Sequence, residues 1–372
     1  MSNRESLFQP IDLPSGVTLK NRVLMAPMTN FLSNDDGSVS DKELRYYERR
    51  SEGVSAVITA CANVNEAGKG FDNEIGVHRD DLIPGLKRLA KTIHEKDAKA
   101  ILQIFHGGRM APPHLVPNED VVSASAVASP RPGTVEPRAM TEEEIQQTIK
   151  DFGEATRRAI EAGFDGVEIH GANTYLLQQF FSPHSNRRDD QWGGEVRDRM
   201  NFPLAVIEAV KNAVKEHATK SFIIGYRLSP EEKEEPGITM EDTLQFVDVL
   251  KNQEMDYLHI SLSQLKQGSM RDEEDTIPVI DRIQERVGET IPVMGVGSLH
   301  TPEDVEQALE TVPFISLGRE LLMEPDWMKK LKANEESSIR TAMRKQDQED
   351  LVIPEPMWTN ILSVPNWFVV EE

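Results

Sequence analysis

The chain has 372 residues, long for one core but within reach of a single α/β barrel with insertions. Its 41 Lys and Arg against 63 Asp and Glu give a net charge of -22, which disfavours nucleic acid and anionic membrane surfaces as partners. The single cysteine, Cys61, excludes an internal disulfide, a cysteine-rich zinc site and an iron–sulfur cluster.

The opening "MSNRESLFQP" lacks the apolar core of a signal peptide, and no apolar run approaches a membrane span. The expected compartment is therefore the cytoplasm. "IDLPSGVTLKN" follows and reads as a small hairpin around Pro14–Gly16, placed to cover the bottom of a barrel. Short apolar, β-rich runs then recur: "RVLMAPM" (22–28), "SAVITACA" (55–62), "KAILQIF" (99–105), "DGVEIH" (165–170), "FIIGYRL" (222–228), "DYLHISL" (256–262), "IPVMGVG" (291–297) and "PFISLGR" (313–319). They are near-continuous rather than alternating, as strands covered on both faces should be.

Helical patterns separate these runs. In "TEEEIQQTIKDFGEATRRAIEAG", Thr141 and Glu144 read as a capping box, Ile145, Ile149, Phe152 and Ala159 form one face, and Gly163 suits the end. In "TPEDVEQALE", Thr301 is the expected cap, Pro302 the first helical residue, and Asp304 takes the place of the capping-box acid. Eight strands alternating with helices predict an α/β (β/α)8 TIM barrel spanning 1–372 as one domain, with 335–372 a C-terminal extension. A doubly wound sheet is the alternative, but no G-x-G-x-x-G follows the first strand. Residues 107–137 form a long Pro-rich loop after strand three, on the face where such barrels keep their chemistry.

Polar residues gather at strand ends. Thr29 follows strand one, Gln103 and His106 close strand three, His170 closes strand four, Arg227 sits late in strand five, and Gly297, Gly318 and Arg319 close strands seven and eight. Each has a plain alternative. Gln103 could satisfy backbone groups, Arg227 could pair with a buried carboxylate, and His106 reads best as a packed histidine. The last three could be two turns and a surface ion pair, or a cradle for a monophosphate. Both readings of that trio stand at this point.

The segment "VEIHGANTYLLQQFFSPHSNRRDDQWGG" (167–194) is more specific. H-G-A-N-x-Y-L-L-Q-Q-F followed by S-P-x-S-N-x-R-x-D-x-x-G-G resembles the Old Yellow Enzyme family of FMN-dependent ene-reductases. The resemblance extends from "LFQPIDLPSGVTLKNRVLMAPMT" through "LQIFHGGR", "GYRLSP" and "VMGVGSLHTPEDVEQALE" to "ISLGRELLMEPDW". It implies FMN at the barrel mouth and NAD(P)H with small electrophilic alkenes as partners. Backbone at Pro27 and Met28, with Thr29, Gln103 and Arg227, would surround the isoalloxazine, and Cys61 would lie beside it. Gly297, Gly318 and Arg319 would hold the phosphate. His170 and Asn173, made adjacent by a turn at Gly171, would bind a carbonyl or nitro oxygen, with Phe31 on the substrate side. Tyr175, a phenol with a usual pKa of about 10, would donate a proton. The rival for this trio is a histidine satisfied by backbone, with Asn173 capping the helix that follows.

The family splits between Thr and Cys at the position of Thr29, and Phe31 stands where one branch carries Tyr. The tail "PMWTNILSVPNWFVVEE" matches no pattern. Its Trp358, Trp367 and Phe368 are expected to pack on the barrel or on a neighbouring subunit, and homo-oligomerisation is left open. Two other functions compete. A barrel lyase or isomerase acting on phosphate substrates would need a lysine or carboxylate base at a strand end, and none of the eight ends offers a lysine. A non-catalytic or sensory flavoprotein would not need His170, Asn173 and Tyr175.

Overall fold

In the computed structural model, which describes residues 3–364 and 367–371, eight parallel strands close on themselves. They are β1 (Val23–Met25), β2 (Ala56–Asn63), β3 (Lys99–Phe105), β4 (Gly166–Gly171), β5 (Ile223–Leu228), β6 (Tyr257–Ile260), β7 (Val293–Gly295) and β8 (Phe314–Leu317). Each pairs with its sequence neighbours, and the ring shuts where Ile315 of β8 meets Val23 of β1 and Leu24 of β1 meets Ala56 of β2. All eight predicted runs are strands, with β1, β6, β7 and β8 the most shortened relative to their apolar runs. The intervening helices are α1 (Asp41–Arg50), α2 (Ile83–His94), α3 (Glu142–Glu161), α4 (Asn201–His217), α5 (Met240–Leu250), α6 (Val279–Val287) and α7 (Pro302–Ala308). Two short helices follow β8: α8 (Arg319–Met323) and α9 (Trp327–Lys332).

The helix boundaries follow from the caps. Thr141 Oγ1 accepts the amide of Glu144, whose carboxylate accepts the Thr141 amide at 2.8 Å. Thr301 and Asp304 make the same reciprocal pair at the start of α7. Ile145, Phe152 and Ala159 are buried on one face of α3 as the spacing predicts, and Ile149 is half-buried against the core.

The hairpin forms between Ile11–Asp12 and Thr18–Leu19. Its Leu13 and Leu19 plug an apolar floor of Leu24, Ala56, Ile58, Ile101, Ile223, Tyr257, Met294 and Phe314. The Ser15 amide also donates to Asp256 just ahead of β6. At the other end, the long loop after β3 carries three one-turn helices and a two-residue strand, Val122–Ser123, paired with Arg138–Ala139. Arg109 pins it by donating to the carbonyls of Val127 and Ala128. In the C-terminal segment, Met343, Leu351, Ile353, Met357, Trp358 and Ile361 join the main core. Among the described residues no helix is long and apolar enough to cross a membrane.

Replacing Thr141 by Ala removes one cap from the longest helix. Chemical unfolding should show a loss of about 1 kcal/mol; an unchanged midpoint would mean that packing alone defines the start of α3.

Candidate active site

Side chains alternate along a strand, so every second residue faces the barrel axis. Going up from the apolar floor, Ile101 leads to Gln103, Ile223 to Gly225 and Arg227, Tyr257 to His259 and Ser261, and Phe314 to Ser316 and Gly318. The mouth is thus polar because on these strands the inward positions two and four residues past the floor residue carry polar or glycine residues. On β2 the register shifts between Ile58 and Cys61. Such bulges re-aim side chains, and here Cys61 comes to lie beside Thr29 and Arg227.

Pro27, Met28, Arg227, Gly297, Gly318 and Arg319 line one cavity of about 480 Å³. Among the described residues Arg319 forms no ion pair with an acid. Its guanidinium donates to Ser298 Oγ at 2.6 Å and to the carbonyl of Trp367 at 3.0 Å. Arg227 is buried, and its Nε has no protein partner. Gly318 packs so closely under Met28 that a Cβ would come within 3.2 Å of the Met28 sulfur. A fork of guanidinium donors, a hydroxyl and cavity-lining glycine backbone are the donor set of a phosphate ester. Together with the unsatisfied Arg227 they fit a flavin mononucleotide. Trp367 and Ser298 were not legible as lining residues. The tail turns back over this rim, with the Trp367 and Phe368 rings 4.9 Å apart.

The Thr29 hydroxyl lies beside the Cys61 thiol. Burial, and then the neighbouring Glu74 carboxyl, push the Cys61 thiol well above its usual range, so it stays neutral. Gln103 donates to the buried Glu168 at 2.7 Å rather than to backbone. Arg227 donates to Ser261 Oγ at 3.2 Å. His106 is a packed histidine, as expected: its Nδ1 accepts the Gly108 amide, and burial lowers its pKa to about 3.

A second region adjoins through Arg227. The rings of His170 and Tyr175 lie 5.0 Å apart, and Phe105 is 4.8 Å from Tyr175. Phe71 touches Phe105, Tyr175 and Phe31, closing an aromatic wall in which Phe71 and Phe105 were not foreseen. His170 Nδ1 accepts the Ala172 amide at 3.2 Å. Burial, and then Arg227, lower the His170 pKa to about 3, so the ring is neutral with its proton on Nε2. Asn173 Oδ1 accepts from Ser261 Oγ at 2.9 Å, which leaves its amide N–H groups to donate elsewhere. Burial raises the Tyr175 phenol above its usual range, so it holds its proton.

One expectation, and one part of the rival reading, need correction. The turn after β4 is not at Gly171, which is the last residue of the strand and pairs with Leu228. A Cβ there would lie 2.2 Å from the Tyr226 hydroxyl, so glycine is demanded by packing. The turn falls at Asn173 and Thr174, with φ of 57° and 70°. For β-branched Thr174 this is a strained conformation, costing on the order of 1–3 kcal/mol. Gln178 holds it by accepting the Thr174 amide at 2.8 Å. Nor does Asn173 cap the following helix, Leu176–Phe181, whose N-cap is Tyr175.

The loop carrying Thr29 and Phe31 is tied from behind by Glu43 of α1. Its carboxyl accepts from Ser33 Oγ at 2.6 Å and from Asn30 Nδ2 at 3.2 Å. Asn30 in turn accepts the Leu32 amide, which holds Phe31 at a φ of 57°.

A closed barrel with guanidinium, hydroxyl and glycine-backbone donors at its mouth, beside a neutral histidine, an amide and a phenol, suits a flavin oxidoreductase. The chain belongs to the NADH:flavin oxidoreductase / NADH oxidase family, whose sequence model matches residues 6–338, and within it to the Old Yellow Enzyme group. It is an NAD(P)H-dependent flavin oxidoreductase with FMN as cofactor. It is 48% identical over 362 residues to a probable NADH-dependent flavin oxidoreductase of Bacillus subtilis, covering 97% of each chain. It is 43% identical to an NADH:fumarate oxidoreductase of Klebsiella pneumoniae, matching 96% of this chain but 39% of that longer one. Morphinone reductase in complex with tetrahydroNAD superposes with a TM-score of 0.75 at 25% identity, over 89% of this chain and 91% of that one.

Glu43 yields a pH prediction. Burial raises its pKa from 4.5 to about 7. The folded state therefore holds a proton that the unfolded state has lost, and stability present below about pH 4.5 is lost as pH rises through 7. Glu43→Gln cannot titrate. The unfolding free energy of the variant minus wild type should rise by about 3 kcal/mol between about pH 4.5 and about pH 8. A pH-independent difference would show that Glu43 is ionised in its pocket.

Proposed function

We propose that the chain, as one FMN-binding domain in the cytoplasm, uses NAD(P)H to reduce activated carbon–carbon double bonds such as those of enones and nitroalkenes, with quinones as further acceptors. Arg319, Ser298 and the backbone at Gly297 and Gly318 would hold the phosphate. Pro27, Met28, Thr29, Gln103 and Arg227, with Cys61 behind Thr29, would hold the ring system. FMN, when bound, supplies the hydride chemistry between nicotinamide and acceptor.

The observation that carries the reading is the state of the donor pair. The acceptor atoms of His170 and Asn173 are engaged within the protein, by Ala172 and Ser261. Each side chain therefore has only N–H to present. Two fixed donors suit a carbonyl or nitro oxygen on which negative charge builds as the β-carbon takes up hydride. Tyr175 then gives its proton to the α-carbon. The alkene thus gains one hydride and one proton, and the nicotinamide is oxidised. A nicotinamide carboxamide can meet the same donors, so reductant and acceptor would use the site in turn, with ping-pong kinetics. The fumarate in the name of the Klebsiella relative is itself an alkene conjugated to carboxyl groups, although this chain spans 39% of that protein.

Two substitutions test these roles. Arg319→Glu places a carboxylate against the phosphate, so the folded variant should purify without flavin; full flavin retention would move the phosphate elsewhere. Tyr175→Phe should slow enone reduction by roughly 10²–10⁴-fold and leave flavin reduction by NAD(P)H nearly intact. Stopped-flow traces in which both half-reactions fall together would refute proton donation.

A further inference from the structure

Between the apolar floor and the mouth lies a tier of polar side chains that no packing need explains. Glu168 of β4 is fully buried on the barrel axis. Its Oε1 accepts from Gln103 Nε2 at 2.7 Å, and its Oε2 accepts from His259 Nδ1 at 2.9 Å and from the Tyr257 hydroxyl at 3.1 Å. His259 Nε2 pairs with Ser316 Oγ at 3.0 Å. With Nδ1–H committed to Glu168, Nε2 is the acceptor and the serine donates. Barrel interiors of this kind are filled by branched apolar side chains. A carboxylate there loses its hydration, a cost of several kcal/mol for an unpaired ion, and persists only when fully hydrogen-bonded. Here it is. The donors, with Arg227 close by, offset desolvation and keep Glu168 ionised, its pKa below the usual value. The tier is also shaped for it: a Cβ at Gly225 would lie 2.2 Å from the Tyr257 ring, so glycine makes the room through which Tyr257 reaches Glu168.

One member of this tier, Ser316, borders the cavity, and Gln103 lies beside Cys61 on the neighbouring strand. Ser316 lines the cavity together with Arg227. Gln103 has spent an amide hydrogen on Glu168, so its carbonyl oxygen is the acceptor it has left for a ligand above. We propose that Glu168 is a positioning residue for the flavin: its buried carboxylate sets the orientation of the Gln103 amide and puts a fixed negative charge under the ring system, and so holds down the reduction potential of bound FMN. The inference rests on FMN occupying the mouth.

The experiment is the midpoint potential of the FMN-loaded protein, measured by dye equilibration, together with its affinity for FMN. Glu168→Gln keeps the shape and removes the charge. Reduction adds electrons to the ring, so loss of the charge should favour the reduced form by about tenfold or more, a positive shift of about 30 mV for a two-electron couple. The FMN dissociation constant should rise as Gln103 loses its tether. Tyr257→Phe provides the opposite case and decides the matter if the first variant does not fold. It leaves the carboxylate but removes one donor, so the field on the ring strengthens and the potential should move negative. A potential unchanged from wild type in the folded variants, or a negative shift in Glu168→Gln, would overturn the role of Glu168. Because the measurement starts from FMN-loaded protein, that result would leave the cofactor assignment standing.

Discussion

Closure of the parallel sheet is the constraint on which the rest depends. Once β8 pairs with β1, the side chains on each strand are divided between the axis and the helices, and the axis becomes a stack of tiers. The lowest tier is apolar and is sealed by the hairpin through Leu13 and Leu19. The tier above carries Glu168, Gln103, His259 and Ser316. The mouth carries His170, Arg227 and Ser261. Chemistry is thus laid down by strand length: two more residues on a strand that already packs place a functional group at the opening.

The mouth also depends on hydrogen bonds that choose which atoms face outward. A histidine and an asparagine can each donate or accept. The Ala172 amide and the Ser261 hydroxyl occupy the accepting atoms and so remove that ambiguity. Ser261 is linked in turn to Arg227, which joins His170 and Asn173 to the cavity lined by Arg319. Strain at Thr174 is the local cost of turning the chain sharply enough to set Tyr175 against His170.

The strands, the caps and the chain order of the mouth residues were legible in the sequence because they follow from local patterns: apolar runs, Thr-x-x-Glu or Thr-x-x-Asp, and polar residues at run ends. His170, Asn173 and Tyr175 were legible because one short segment carries them all. What was hidden depends on contacts between distant segments. Ser261 lies 88 residues from Asn173, and Glu43 acts on a loop through Ser33 and Asn30. Phe71 joins the aromatic wall from the loop after β2. Gly171 was misread for a related reason: a glycine at a strand end reads as a turn, whereas its cause is the Tyr226 side chain from the neighbouring strand. Trp367 sits in a tail without periodicity, and its place shows only in its contacts with Arg319 and the core.

The net charge of -22 would seem unsuited to binding a phosphate ester, yet the mouth and the surface answer to different physics. Exposed carboxylates are screened within about 10 Å at moderate salt and barely reach the barrel interior. Near the mouth the acids are buried, and burial drives them toward the neutral form: Glu43, Glu74 and Glu320 all have raised pKa values with desolvation as the leading cause. Burial thus favours the neutral form of these acids, while the guanidinium groups of Arg227 and Arg319 line the cavity. Glu168 is the exception because it alone among these acids has donors from three side chains and a nearby guanidinium to hold it ionised. An acidic protein can therefore gather guanidinium groups at its mouth, while the Glu168 carboxylate lies on the axis below them, where, as proposed, it acts on electrons rather than on the approach of ligands.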